Sequence, residues 1–340
     1  MASATTSDLS PPSLRVGEVV DGRYRVLCKL GEGGFGAVYQ VAPHDRPQTS
    51  FAMKIEAAGG DGVLKLECKI LELLGNSGGR HFCSLEDRGR NPHFHYVVMS
   101  LVGHSLSDLR KATPDQKFSL GTALCVGIQS LEAIEDLHKV GYLHRDLKPA
   151  NYAIGRPPLL RHIYVLDFGL CRRHLKTANG RVEVRRRRRS AGFRGTVRYA
   201  PLNCHRGREL GRRDDVETWY YMLVEITKGK LPWTFETDKD VVQAVKERCR
   251  ERKNLRKMLA RCPKTYIEIL KYVDSLKYES APSYSWIYSQ LRHTLNQLDI
   301  KEEQPYDWEA TGRFAAYMKG NLPAHVTYDP HQDCGGYADW

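Results

Sequence analysis

The sequence has no run of 18 apolar residues, so no transmembrane helix is expected. Between Met1 and Pro12 there are Ser, Thr and Pro, but no basic segment followed by an apolar one, so no secretory leader is expected either. Cys-x-x-Cys pairs are missing. The nine cysteines are scattered and odd in number, which argues against a disulfide framework or a zinc site. Internal repeats are missing too. What remains is the expectation of an intracellular globular chain whose 340 residues can build two lobes. Its apolar and charged fractions, 41% and 27%, are ordinary for that class.

Charge is present in excess and in one place. The net charge is +12. Between Cys171 and Arg213 stand 15 Lys and Arg against Glu183 and Glu209, a local balance of +13, which leaves −1 for the rest. The run Arg185, Arg186, Arg187, Arg188 and Arg189 is its densest part. It reads as a solvated, self-repelling loop, as a nuclear-localisation or nucleic-acid patch, or as a surface for acidic or phosphorylated protein.

Residues 1–14 read as disordered. Strand patterns cover 24–30, 37–41, 51–55, 82–87 and 95–101, with one helical pattern over 63–74. From residue 104 the character turns helical: 120–139, 215–228, 240–260, 265–276 and 284–298 carry helical spacing. A strand is expected over 163–166. The basic stretch shows no period and reads as a long functional loop.

Chemistry enters with Gly31-Glu32-Gly33-Gly34-Phe35-Gly36 and Val38. Glycines let backbone N–H groups approach phosphate oxygens. A strand follows the third glycine of the motif where a dinucleotide fold would place a helix, so the motif reads as a flap over ATP. Lys54 sits on an apolar strand and suits the α- and β-phosphates. Glu67, mid-helix among apolar residues, is its expected carboxylate partner, ahead of Glu56 and Glu72. In His144-Arg145-Asp146-Leu147-Lys148-Pro149-Ala150-Asn151, Asp146 can accept or orient the proton of an attacking hydroxyl. Lys148 can neutralise the transferring group. Asn151 and Asp167, the latter in Asp167-Phe168-Gly169, can hold Mg²⁺, which takes oxygen ligands. Cys68 and Cys171, close to these motifs, read as packing residues. Phosphoryl transfer depends on positioning and charge neutralisation, and this set suffices in kind.

In order and spacing these motifs resemble the eukaryotic protein kinases over residues 24–309, and Lys-Pro-x-Asn resembles the serine/threonine class. Arg194-Gly195-Thr196-Val197-Arg198-Tyr199-Ala200, Arg212-Arg213-Asp214-Asp215-Val216-Glu217-Thr218 and Leu231-Pro232-Trp233 are most similar to the casein kinase 1 superfamily. Ala191-Gly192-Phe193, Val98-Met99-Ser100-Leu101 and Tyr306-Asp307-Trp308-Glu309 resemble its tau-tubulin kinase branch.

The resemblance implies an α+β, bilobal protein kinase fold, with a small five-stranded β-sheet lobe carrying one helix and a large, mainly helical lobe. The divisions expected are a disordered 1–14, a kinase domain over 15–309 (small lobe 15–99, hinge 100–103, large lobe 104–309) and an extension over 310–340. It implies Met99 as gatekeeper, Ser100, Leu101 and Val102 as the hinge whose backbone binds adenine, and Ala52 in the ATP site. Thr196 would bond Asp146 and Lys148, and Asp215 would brace the central loop. Arg198, with Arg194 and Arg185–Arg189, would meet an acidic or phospho-primed protein substrate, cytoskeletal by the branch resemblance. Lys246 is a loosely aligned second cation. Where most kinases carry Ala-Pro-Glu, this chain has Ala200-Pro201-Leu202-Asn203, which leaves the shape of the docking loop open. Arg145 could hold a phosphate on Thr177 or Ser190, although the superfamily implies constitutive activity. The expected cofactors are ATP and Mg²⁺, and the expected state is a cytoplasmic, also nuclear, monomer without membrane or nucleic-acid partners. The alternatives are a pseudokinase scaffold binding acidic partners and, with less support, a small-molecule kinase. The presence of Lys54, Asp146, Asn151 and Asp167 favours the enzyme.

Overall fold

The computed structural model describes residues 13–33, 36–60, 62–178 and 180–323. The first part is one antiparallel sheet of β1 (Val19–Val20), β2 (Tyr24–Gly33), β3 (Gly36–Pro43), β4 (Phe51–Ala57), β5 (Leu85–Arg90) and β6 (Phe94–Ser100), in spatial order β1-β2-β3-β4-β6-β5. Six strands stand where five were expected, because β1 is two residues long and too short to show alternation. β4 is buried almost throughout, flanked by β3 and β6. Helix α1 (Val63–Asn76) buries Leu64, Glu67, Cys68, Ile70, Leu71 and Leu74, one face at helical spacing. Its first turn is capped from the sheet. The Glu56 carboxylate accepts from the Val63 and Leu64 N–H groups at 3.0 and 3.1 Å.

The strand expected over 82–87 begins three residues later, at Leu85. Phe82 and Cys83 are buried, and the Phe82 ring lies 6.1 Å from that of Phe168. Their apolar character serves the junction between lobes instead of the sheet.

The second part contains α2 (Leu106–Lys111), α3 (Leu120–Lys139), β7 (Tyr142–Leu143), β8 (Tyr152–Ile154), β9 (Ile163–Val165), β10 (Arg172–Arg173), β11 (Leu175–Ala178), β12 (Arg181–Val184), α4 (Leu202–His205), α5 (Arg212–Lys228), α6 (Lys239–Arg248), α7 (Arg252–Met258), α8 (Thr265–Ser275), α9 (Tyr284–Gln297) and α10 (Ala315–Lys319). The core forms where α3 crosses α5. Gly127 permits the approach, since a Cβ there would lie 2.8 Å from a Leu223 methyl. Trp219 donates its indole N–H to the Gly127 carbonyl at 3.1 Å. Among the described residues no helix is long and apolar enough to cross a membrane.

Three further expectations shift. The basic stretch holds a hairpin, β11 paired with β12, before it becomes a loop. Its strands are short and charged, so they carry no apolar period. The single helix expected over 240–260 is two, α6 and α7, broken so that Arg250 turns inward to Glu217 and the Tyr221 hydroxyl, at 2.8 and 2.7 Å. At the front, residues 1–12 of the segment read as disordered lie outside the described residues. Leu14 is buried and donates its N–H to the Tyr39 hydroxyl at 3.1 Å, so order starts before residue 15.

The chain after α9 packs back on the large lobe. Trp308 is fully buried, its ring 5.4 Å from that of Phe118. Asp307 accepts from the Ser119 N–H at 2.6 Å, at the start of α3, and α10 buries Met318. Residues 324–340 of the expected extension lie outside the described residues.

Candidate active site

A cleft of about 510 Å³ separates the sheet from the helical lobe. Of the residues expected at ATP, Gly31, Glu32, Gly33, Gly36, Val38, Ala52, Lys54, Met99, Ser100 and Leu101 line it, and Gly34 and Phe35 lie outside the described residues. Gly36 has φ +138°, and a Cβ there would lie 1.9 Å from the Ile55 carbonyl oxygen, so this turn requires glycine. Sequence reasoning missed Leu30, Leu71, Cys83 and Ala150 on the walls. The first follows the strand pattern into the glycine motif and could have been found there. Burial pushes the Cys83 thiol up to about 12, so it is an inert wall residue.

Lys54 reaches across the cleft from β4. Its ammonium lies 2.6 Å from Glu67 on α1 and 3.3 Å from Asp167. Burial opposes its charge, but the two carboxylates raise its pKa above the ordinary lysine value. Asp167 is held down in turn: burial opposes its charge and is outweighed by Lys54, His144 and the Gly169 N–H. Glu67 is thus the partner taken up from the three candidates. Glu56 caps α1, and Glu72 pairs with Arg88 at 2.6 Å.

The central loop runs between β7 and β8. Asp146 receives Lys148 at 2.8 Å on one carboxylate oxygen. Its other oxygen takes the Thr196 N–H and hydroxyl, both at 2.8 Å. Lys148 also donates to the Thr196 hydroxyl at 3.2 Å. The Asn151 amide N–H donates to the Asp146 carbonyl at 2.9 Å, and Asn151 and Asp167 share the cleft wall. An amide oxygen and a carboxylate on one cleft wall are oxygen donors of the kind Mg²⁺ takes.

The loop is braced from below by Asp215 at the start of α5. Its carboxylate accepts from the His144 N–H at 2.7 Å, the Arg145 N–H at 2.9 Å and the His138 ring at 2.9 Å. Full burial works against its charge, and these donors hold the pKa below the usual aspartate range. Arg145 and Asp167 both adopt positive φ, 68° and 62°, a conformation non-glycine residues keep only where the surroundings impose it.

The substrate side is organised by contacts that a linear reading could not see. Lys246, fully buried, donates to the Val197 and Ala200 carbonyls at 2.9 and 2.6 Å and lies against the rings of Tyr221 and Trp233. It is therefore a staple under the docking loop, not an exposed anion-binding cation. In place of the missing Ala-Pro-Glu glutamate, Glu217 of α5 accepts from the Leu202 N–H at 3.1 Å and pairs with Arg250.

Of the expected anion-binding residues, Arg198 is half-buried and donates to the Glu225 carboxylate at 3.3 Å and the Thr234 carbonyl at 2.7 Å. Arg187 lies over the Tyr278 ring at 5.0 Å. Arg185, Arg186 and Arg189 are exposed. Arg188 and Arg194 come together with Arg145 and Arg172 around a hollow of about 260 Å³ beside Gly169. Glu209, bonded to both Arg172 and Arg188, is the carboxylate beside them. Burial and the neighbouring Arg172 lower the pKa of Arg145. Cys68 and Cys171 are buried packing residues.

Residues 24–289 match the family model described as "Protein kinase domain". The chain is 38% identical over 295 residues to a Dictyostelium discoideum protein named as a probable serine/threonine-protein kinase, a match covering 86% of this chain and 58% of that one. It is 32% identical over 297 residues to the Caenorhabditis elegans serine/threonine-protein kinase spe-6, covering 86% and 77%. This chain therefore spans little more than half of the Dictyostelium relative. The lysine–glutamate pair, the braced loop and these relatives agree: the chain belongs to the protein kinase family and is a protein serine/threonine kinase.

Proposed function

We propose that this kinase transfers the γ-phosphate of ATP to Ser or Thr hydroxyls of acidic or pre-phosphorylated proteins, as a member of the casein kinase 1 superfamily on its tau-tubulin kinase side. In this reading Lys54, held by Glu67, grips the α- and β-phosphates. Asp167 and Asn151 hold Mg²⁺, which when bound offsets charge on the phosphates. Asp146 orients the attacking hydroxyl and takes its proton, Lys148 stabilises the transferring group, and Thr196 keeps both side chains aimed. The catalytic domain is read as 15–309, acting as a monomer in the cytoplasm and also the nucleus, on substrates that include cytoskeletal proteins.

The observation that carries the substrate class is the arginine-lined hollow beside Gly169. Four guanidinium groups line it, and among the described residues only those of Arg172 and Arg188 pair with a carboxylate, Glu209, an imbalance that an entering carboxylate or phosphate would relieve. Arg198 enters the reading as a secondary cation, since it does not line the hollow and donates to Glu225 and the Thr234 carbonyl. Arg188→Ala and Arg194→Ala should each raise KM for acidic or phosphorylated peptides about tenfold, the loss of one charge-assisted contact. KM for neutral peptides should stay unchanged. Equal losses on both peptide sets would remove the acidic-substrate reading. A scaffold that binds acidic partners without turnover is distinguished by the absence of any phosphorylated product.

A further inference from the structure

The helical lobe carries another cavity, of about 340 Å³, whose lining shares no residue with the cleft or the arginine hollow. It lies where the end of α5 meets α6 and α7. Leu231, Pro232, Val245 and Met258 give it an apolar floor. Lys228, Lys230, Arg248 and Lys257 stand around that floor, and among the described residues no carboxylate lines it. Lys228 is committed, donating to the Lys257 and Met258 carbonyls at 2.8 and 2.9 Å where α7 ends. Lys230, Arg248 and Lys257 are exposed. Among the described residues none of the three has a carboxylate within salt-bridge distance. The sequence around them is equally one-sided: from Arg248 to Arg261 there are seven Arg and Lys and one acid, Glu251. The near-neutral sum outside residues 171–213 conceals this second basic cluster.

Three unpaired like charges around a concave apolar floor make a surface that is complete only with an occupant of the opposite kind. That occupant must bring an apolar group of side-chain size and anionic groups beside it. Among the described residues no aromatic ring lines the cavity, so they offer no stacking platform for nucleic-acid bases. A concave hollow fits an inserted side chain better than a flat lipid surface.

We propose that this cavity docks an acidic segment of a partner protein. One aliphatic side chain of the segment enters the floor, and flanking Asp or Glu residues meet Lys230, Arg248 and Lys257. The site would hold a partner on the kinase while the catalytic cleft stays free, and it does not depend on the proposed substrate class.

The test uses binding, not turnover. A phage-displayed library of random dodecapeptides is panned on the full chain, and a selected peptide is measured by fluorescence anisotropy. Peptides with one aliphatic residue among acids are expected. The combined variant Lys230→Glu, Arg248→Glu, Lys257→Glu, checked for an unchanged melting temperature, should weaken binding at least about tenfold. Replacing the peptide's aliphatic residue by Ser should weaken it similarly. Arg194→Glu should leave it unchanged. The proposal is overturned if no acidic-aliphatic peptide is selected, if the triple variant binds normally, or if Arg194→Glu abolishes binding. Binding of phosphatidylserine vesicles through the same three residues, with no peptide selected, would assign the surface to membranes instead.

Discussion

Asp146 is the residue on which the proposed chemistry converges. Lys148 and the backbone and hydroxyl of Thr196 all donate to its carboxylate, which fixes its rotamer before any substrate arrives. Asp146→Asn keeps the shape but gives up the charge and the proton acceptor. It should lower kcat by about 10²–10⁴-fold, the usual range for a positioned acid–base group, with KM for ATP and the melting temperature nearly unchanged. Steady-state kinetics and a thermal melt read this directly, and an unimpaired kcat would remove Asp146 from its role. A different kind of residue, His174, tests burial. It lies between β10 and β11, and neither of its ring nitrogens has a hydrogen-bond partner among the described residues. Burial, with help from neighbouring His138, lowers its pKa to about 3 from the ordinary 6.5. The native ring therefore stays neutral where the unfolded chain takes up a proton. Its contribution to stability is complete above pH 6.5 and is lost as pH falls toward 3. His205, lowered to about 4 chiefly by burial, acts with the same sign. His174→Phe should flatten the fall of melting temperature between pH 6.5 and 4, and equal slopes in both proteins would contradict this.

At the scale of elements, the break between α6 and α7 explains how the docking loop is held without the usual glutamate. It turns Arg250 inward onto Glu217, and Glu217 grips the Leu202 N–H. Arg250→Met would leave the more distant Arg213, at 3.6 Å, as the cation paired with the buried Glu217 among the described residues. Loss of one partner of a buried pair costs about 3–5 kcal/mol. Urea unfolding should show that loss, together with a higher peptide KM, and a fully stable variant would show that the pair is not the brace. The same region marks the limit of legibility in the sequence. Helix α3 was readable to its ends because local signals mark them, the Ser119 cap and Gly141 at φ +91°. The residues that meet in the cleft were readable as candidates because the proposed chemistry restricts residue type at short spacing. The docking-loop staples were not, since Lys246 and Val197 are 49 positions apart and nothing local distinguishes a buried lysine from a surface one. Nor was the strand start at Leu85, where two apolar residues serve the lobe interface instead of the sheet.

On the scale of the molecule, two lobes meet at a cleft whose charges are balanced and whose flank is not. Inside, Lys54 is matched by Glu67 and Asp167, and Lys148 by Asp146. Outside, the stretch after Asp167-Phe168-Gly169 carries almost the whole positive excess, and part of it folds into the arginine-lined hollow. Fields of exposed charge are screened over about 8 Å at physiological ionic strength, whereas the balanced pairs of the cleft are protected by burial. On the proposed reading, turnover belongs to the cleft and preference for acidic protein to its flank. The most direct measurement compares ATP-dependent phosphorylation of an acidic and a neutral peptide, identical at the acceptor serine, over rising salt. The account predicts that kcat/KM is higher for the acidic peptide and falls toward the neutral value as salt increases, while kcat stays level. Equal kcat/KM for the two peptides at low salt, or no turnover of either, would contradict it.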